Sequence, residues 1–296
     1  MLTLFGVWWQ SANGNTGARR RTMERTIRSW ARLGGGVQLL LFGDADGLAE
    51  VARTLGAEHV RDVARNEYGT VRADDLFAQA QARAAHDVLC YANGDVILLD
   101  DLLTAVEQLS SWRERYLVIG ECLDLDLDRL AGSDVDSSDL LRRVARTEGR
   151  SRGPKAIDYF VFQRNLYDRL PPFAIGRAGW DNWLVWLARS AGAAVVDAST
   201  TVTAVHQHHD YSHVPGGLDE SYYGREAHRN LELAGGVEHY YFLWDATHRL
   251  TPAGVRRNHG SIWRMRNRFE NLRGRITWHV RAWRAGRTGS REWGPS

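Results

Sequence analysis

Two polar side chains directly follow an apolar run near the middle of the chain. Val88–Ala92 is typical of a short strand buried on both faces, and Asn93 and Asp95 come after it on either side of a glycine. In an extended segment, side chains two residues apart point the same way. Two oxygen ligands at the carboxyl end of a core strand suit a hard divalent cation, Mg²⁺ or Mn²⁺. The alternative is a simple strand-to-helix turn in which Asp95 caps the next helix.

Histidines and further acids come later in the chain. His206, His208, His209 and His213 lie within eight residues, and the first two share one side of an extended segment. A neutral imidazole is a common metal ligand, although any of these residues could be a structural histidine. Asp124, Asp126 and Asp128 alternate with leucines, a pattern that favours a solvated edge strand over a metal site.

The composition is that of a globular protein. The chain has 296 residues, of which 44% are apolar and 25% charged. No apolar run reaches the roughly 18 residues of a membrane span, and the first residues lack the basic region and cleavage site of a signal peptide. Cys90 and Cys122 form no disulfide framework. These features predict a protein of the reducing cytoplasm.

Positive charge is concentrated at the end of the chain. The net charge is +2, but eleven arginines against two glutamates follow residue 255, which leaves the first 255 residues at −7. An apolar residue recurs every three or four positions in this tail, as in an amphipathic helix: Ile262, Met265, Phe269, Leu272, Ile276, Val280 and Trp283. The stripe could pack on the rest of the protein or lie on an anionic membrane surface. The acidic body argues against nucleic acid as a partner.

Strand and helix patterns alternate along the chain. Strands are predicted at 2–9, 37–42, 58–63, 88–92, 116–121, 157–162, 194–197 and 202–205. Helices are predicted at 18–33, 49–55, 72–86, 138–147 and 180–189. This alternation predicts an α/β fold with a mostly parallel central sheet and helices on both faces.

In this order the motifs resemble those of GT-A glycosyltransferases, enzymes with a Rossmann-like sheet that use nucleotide sugars. Asn93-Gly-Asp95 resembles the Asp-x-Asp motif of that family with its first acid replaced, and Trp180-Asp181-Asn182 resembles the segment that carries the catalytic carboxylate. The region of His206 follows a late strand, where many members place a metal ligand. The resemblance covers residues 1–215. It implies a nucleotide-sugar half (1–121) and an acceptor half (122–215). The apolar stripe and the arginines predict a C-terminal helical, arginine-rich extension (216–296).

The resemblance also implies roles for particular residues. Asp95 and His206 would bind Mn²⁺ or Mg²⁺, with His209 as a further metal candidate. Asp181 is the first choice as general base and Asp158 the second, although an acid in the first turn also stabilises a helix by about 0.3–1 kcal/mol. The residues assigned to the nucleotide-diphosphate sugar are Ser11, Asn13, Asp44, Arg72, Asn93 and Trp180. For Trp180 the alternative is a core position, and for Arg72 a solvated helix arginine.

The expected activity is a metal-assisted, inverting transfer of a sugar from a nucleotide-diphosphate donor to a hydroxyl group. The acceptor would be a polysaccharide, a lipid-linked molecule or a natural product. An enzyme with a lipid-linked acceptor could also contact the inner face of the membrane through its arginine-rich C-terminal helix. Two other classes stay open, namely a sugar-nucleotide nucleotidyltransferase and a non-catalytic carbohydrate- or partner-binding protein with a degenerate site.

Overall fold

The computed structural model describes residues 1–9, 17–112, 114–130, 137–208 and 217–258. The strands of these segments are β1 (Leu2–Val7), β2 (Val37–Phe42), β3 (Glu58–Val60), β4 (Val88–Ala92), β5 (Val96–Leu98), β6 (Tyr116–Ile119), β7 (Cys122–Leu125), β8 (Arg150–Ser151), β9 (Tyr159–Gln163), β10 (Ala194–Asp197), β11 (Ala204–Gln207), β12 (His248–Thr251) and β13 (Gly254–Arg257). The helices are α1 (Gly17–Ala31), α2 (Leu48–Leu55), α3 (Ala73–Arg83), α4 (Asp101–Ser110), α5 (Ser138–Glu148), α6 (Trp180–Ser190), α7 (Gly217–Tyr223) and α8 (Arg225–Ala234).

The larger sheet has nine strands in the order β13-β12-β10-β6-β9-β4-β1-β2-β3. Five of its eight pairings are parallel, and the antiparallel ones involve β9 and the β12–β13 hairpin. Apolar side chains cover both faces of this sheet, because separate core clusters pack against α1, α2 and α4 on one side and α3 and α6 on the other. The predicted α/β fold with a mostly parallel central sheet flanked by helices is confirmed.

A second, smaller sheet carries the strands that follow the Asn93–Asp95 turn. Its order is β5-β11-β7-β8, with β11 parallel to β7 and antiparallel to β5. The interpretation of Asp124 as part of a solvated edge strand was wrong, because β7 lies inside this sheet between β11 and β8. Of the three alternating acids only Asp124 lies in this strand, because β7 ends at Leu125.

The segment after residue 216 continues the larger sheet. β12 pairs in parallel with β10, and β13 forms the outer edge. The predicted boundary at residue 215 therefore runs through one sheet, and 217–258 contains strands as well as helices. The apolar stripe and most arginines of the predicted C-terminal helix lie at 259–296, outside the described residues. In the described segments no helix is both long and apolar enough to span a bilayer.

Candidate active site

The turn after β4 is held against the end of β1. The indole Nε1 of Trp8 donates a hydrogen bond to the carbonyl of Gly94 at 2.8 Å. A Cβ atom at Gly94 would lie only 2.5 Å from the same indole nitrogen, so a larger residue would push the turn away from Trp8. This close approach fixes Asn93 and Asp95 at the carboxyl end of the central strand, where ligands bind in parallel α/β sheets.

Asn93 connects the turn to Asp158 at the start of β9. Its side-chain Nδ2 donates to Asp158 Oδ1 at 2.9 Å, and its backbone N–H donates to the Asp158 carbonyl at 2.9 Å. Its Oδ1 accepts a hydrogen bond from the hydroxyl of Tyr91 at 3.0 Å. Asn93 therefore orients Asp158, and the predicted contact of Asn93 with a cation or ribose stays a prediction.

Asp95 lies next to His206. The register of β11 on β5 places His206 opposite Val96, one residue after Asp95. His206 Nε2 is 3.3 Å from Asp95 Oδ2, and His206 is buried. The two side chains are 111 positions apart in sequence, and the small sheet brings them together.

Asp124 is a site residue that sequence reasoning missed. β7 runs parallel to β11, and Asp124 pairs in register with His206. Its Oδ1 accepts from His206 Nδ1 at 2.8 Å, and its Oδ2 accepts from His208 Nδ1 at 2.8 Å. The alternation of acids and leucines is visible in the sequence, but only the strand pairing shows that Asp124 contacts His206 and His208.

These contacts shift the protonation of both partners. Hydrogen bonding from His206 lowers the pKa of Asp124 to about 2, against the opposing effect of its partial burial. Burial alone would lower the pKa of His206, but the charge of Asp95 and the hydrogen bond to Asp124 outweigh it and raise the pKa to about 9. Without a cation the His206 ring therefore carries a proton on both nitrogens near neutral pH and lies between the carboxylates of Asp95 and Asp124.

Arg152 is a second residue that the sequence did not single out. Its Nε lies 3.1 Å from Asp158 Oδ2, and its Nη1 lies 3.8 Å from Asp124 Oδ1. Its backbone N–H donates to the carbonyl of Cys122 at 3.3 Å, which anchors the loop to β7. Nothing in the composition of the surrounding loop distinguishes this arginine from its neighbours.

Asp181 lies in the first turn of α6 and is partly buried. The preceding Gly179 has φ of 97°, and a Cβ atom there would overlap the hydroxyl of Tyr240. Glycine is therefore required where the chain enters the helix. Burial and the nearby charge of Asp158 raise the pKa of Asp181 to about 7, although backbone N–H groups, first that of Asn182, oppose the rise. A carboxyl with this pKa suits proton transfer near neutral pH.

Trp180 does not have the predicted ligand-binding position. Its side chain is 3% exposed and packs edge-on against Tyr91, with ring centroids 5.2 Å apart, and against Phe77 at 6.2 Å. The ring belongs to the core between α6 and the larger sheet. It therefore cannot stack on a sugar, and the assignment of Trp180 to the donor site was wrong.

The other residues predicted to contact the donor or the cation either form ion pairs with neighbouring side chains or lie outside the described residues. Asp44 follows β2 and forms an ion pair with Arg65 at 2.6 Å. Arg72 directly precedes α3 and forms an ion pair with Asp74 at 2.5 Å, so its guanidinium already has an acidic partner. Ser11, Asn13 and His209 lie outside the described residues. Their assigned roles stay predictions.

Asp95 and His206 fit a divalent cation as part of a larger ligand set. No group of three acids, histidines or cysteines with metal-binding geometry occurs among the residues that the structure describes. The two side chains do supply one oxygen and one nitrogen at adjacent positions. The contact of His206 Nδ1 with Asp124 is the arrangement that orients most metal-binding histidines. A mixed oxygen and nitrogen set suits Mn²⁺ better than Mg²⁺.

Solved structures that match the chain include several glycosyltransferases. Glucosyl-3-phosphoglycerate synthase from Mycobacterium tuberculosis, in complex with Mg²⁺ and uridine-diphosphate, is 18% identical over 80% of each chain, with a TM-score of 0.48. A mannosyltransferase from Pyrobaculum calidifontis, in complex with GDP-Man and Mn²⁺, is 14% identical over 69% of this chain and 56% of that chain, with a TM-score of 0.43.

A mycobacterial protein is 16% identical over 80% of this chain and 75% of that chain, with a TM-score of 0.50. Neither a protein-family model nor a curated protein sequence matches the chain. At these identities the likeness concerns the fold alone. The fold class is α/β, with a mostly parallel sheet and the candidate site at its carboxyl edge.

Proposed function

We propose that the chain is a glycosyltransferase that moves a sugar from a nucleoside-diphosphate donor to an acceptor hydroxyl, assisted by a divalent cation and with inversion at the anomeric carbon. One observation carries this proposal. Asp95 and His206 meet at the carboxyl end of the central strand, beside Asp158, whose charge also acts on Asp181. This arrangement combines a candidate cation site with a candidate base, the two components that such a transfer requires.

On the donor side the departing diphosphate gains negative charge. A cation bound by Asp95 and His206 would act as a Lewis acid toward the diphosphate oxygens. Arg152 lies beside both Asp124 and Asp158 and adds a fixed positive charge to the same region. A guanidinium suits phosphate oxygens because it can donate two parallel hydrogen bonds. Asn93 contributes by holding Asp158 in place.

On the acceptor side Asp181 would accept the proton of the attacking hydroxyl. Its raised pKa of about 7 makes it a stronger base than an ordinary carboxylate, while a large fraction is still ionised near neutral pH. Asp158, the second candidate, is less suited to this role because Asn93 and Arg152 already engage both its oxygens. Its charge instead contributes to the raised pKa of Asp181.

The finer assignments rest on the same proposal. Residues 1–121 would bind the nucleotide sugar, and residues 122–215 would bind the acceptor. A polysaccharide, a lipid-linked molecule and a natural product all offer a suitable hydroxyl group. The two free, buried cysteines, Cys90 and Cys122, support a cytoplasmic location. The arginine-rich segment after residue 258 supports peripheral contact with an anionic membrane.

The test is a calorimetric titration of the full chain with UDP, GDP, dTDP and CMP, each with Mn²⁺ and with EDTA. We expect one nucleotide to bind in a metal-dependent way and Asp95→Ala to lose this dependence. Asp87→Ala is the control, because the side chain of Asp87 is 95% exposed and lies outside the site. Failure of every nucleotide to bind to folded protein would refute the proposal in favour of a non-catalytic binding protein. Pyrophosphate exchange with a nucleoside triphosphate would favour a nucleotidyltransferase.

A further inference from the structure

Asp124 occupies a special position between two imidazoles. One carboxylate oxygen bonds to His206 Nδ1 and the other to His208 Nδ1, both at 2.8 Å. The two histidines differ in exposure, since the His206 side chain is 5% exposed and that of His208 is 61% exposed. Only the buried imidazole also meets Asp95. Asp124 thus connects the candidate cation site to a surface histidine through one carboxylate.

An imidazole ring can present either nitrogen to a ligand, and its proton can lie on either one. A carboxylate at Nδ1 removes this freedom, because it accepts a hydrogen bond only from a protonated nitrogen. In the structure this bond leaves Nε2 directed at Asp95, 3.3 Å from Oδ2. The carboxylate also increases the electron density on Nε2, which strengthens that nitrogen as a ligand.

The strand pairing makes this orientation rigid. β7 and β11 are parallel neighbours, and Asp124 pairs directly with His206 across them. Hydrogen bonds between the backbones therefore set the distance between the carboxylate and the ring. Arg152 also supports the carboxylate. Its Nη1 lies 3.8 Å from Asp124 Oδ1, and its backbone N–H donates to the carbonyl of Cys122 in β7.

We propose that Asp124 is a positioning residue, which holds His206 in the orientation and tautomer that leave Nε2 available to a divalent cation shared with Asp95. This inference rests on the proposed function, since it concerns the same cation site. Asp124 itself does not touch the cation, and His208 is not required for its binding. Loss of a carboxylate in this position typically weakens metal affinity by about 10–100-fold.

The experiment measures Mn²⁺ binding to the full chain by the electron paramagnetic resonance signal of free Mn²⁺, which needs no catalytic turnover. We expect Asp124→Ala to weaken Mn²⁺ binding by about 10–100-fold. Asp124→Asn should weaken it at least about 10-fold, because the amide can donate its own N–H to Nδ1 and so place the ring proton on Nε2. His208→Ala and Asp126→Ala are the controls, with affinities expected to stay within about two-fold of the unchanged chain.

Urea unfolding of each variant separates positioning from folding. Weaker Mn²⁺ binding by a variant with an unchanged free energy of unfolding supports the proposal, and Asp124→Asn serves this purpose if Asp124→Ala does not fold. Either variant binding Mn²⁺ within two-fold of the unchanged chain overturns the proposal while leaving the transferase function intact. If the unchanged chain binds neither Mn²⁺ nor any nucleoside diphosphate, the proposed function fails as well, so the two failures are distinguishable.

Discussion

Replacing Asp181 with asparagine removes a carboxyl group whose pKa the fold raises from 3.8 to about 7. Because the folded state binds this proton more tightly than the unfolded chain does, stability falls as the pH rises from about 4 to about 7. A shift of about 3 units corresponds to about 4 kcal/mol, at about 1.4 kcal/mol per unit. Asp181 is partly exposed, so solvent screening reduces the expected effect to about 2–4 kcal/mol.

Urea unfolding at several pH values tests this calculation. At pH 8 the Asp181→Asn variant should be more stable than the unchanged chain by about 2–4 kcal/mol, and the difference should disappear toward pH 4. Asp168→Asn is the matched control, since it makes the same chemical change at an exposed position. A constant difference between pH 4 and pH 8, or a less stable Asp181→Asn variant at pH 8, would refute the reasoning.

The same variant tests the catalytic role. Loss of a general base typically reduces the rate by about 10²–10⁴-fold, so sugar transfer should fall by this factor while nucleotide affinity stays nearly unchanged. For the unchanged chain, kcat/KM should rise with pH and level off above about pH 7, because Asp181 acts only when ionised. Transfer at a nearly unchanged rate by Asp181→Asn would exclude Asp181 as the base and leave Asp158 as the candidate.

Two further predictions concern the entrance to α6 and the C-terminal segment. Gly179→Ala should destabilise the chain by more than about 2 kcal/mol in urea unfolding, because the residue has φ of +97° and the new methyl group would overlap Tyr240. Gly192→Ala is the control. Its φ is +77° but no atom lies within 4 Å of the new group, so it should cost only about 1 kcal/mol. Equal costs would contradict the packing argument. A chain ending at residue 258 should lose binding to vesicles containing anionic phosphatidylserine while keeping nucleotide affinity, and unchanged vesicle binding would exclude the tail as a membrane contact.

Short-range patterns were enough to predict seven of the nine strands of the larger sheet. The apolar run before Asn93 located the central strand, and the predicted bounds of β2 and β10 match the observed ones. The strand predictions succeeded because each depends on a local apolar run. Asp95 and Asp158 were chosen as candidates from their positions at strand ends, and their roles stay predictions.

The residues that were missed depend on contacts between distant segments. Asp124 and His206 are 82 positions apart, and only the parallel pairing of their strands joins them. Arg152 contacts Asp158 and Asp124 from a loop with no periodic pattern. Trp180 was assigned to the donor site although its position in the sequence does not determine whether its ring faces the core or the site. The packing of α6 on the larger sheet decides this.

The two sheets divide the site between them. Asp95 directly precedes β5, and β11 carries His206, so the proposed cation site belongs to the smaller sheet. Asp158 precedes β9, and α6, which carries Asp181, packs on the larger sheet. Gly94 in the turn between β4 and β5 and the ion pair of Arg152 with Asp158 connect these two halves. A small rotation of one sheet against the other would therefore change the distance between the proposed cation site and Asp181. The turn at Gly94 and the ion pair of Arg152 with Asp158 are the connections that limit such a rotation.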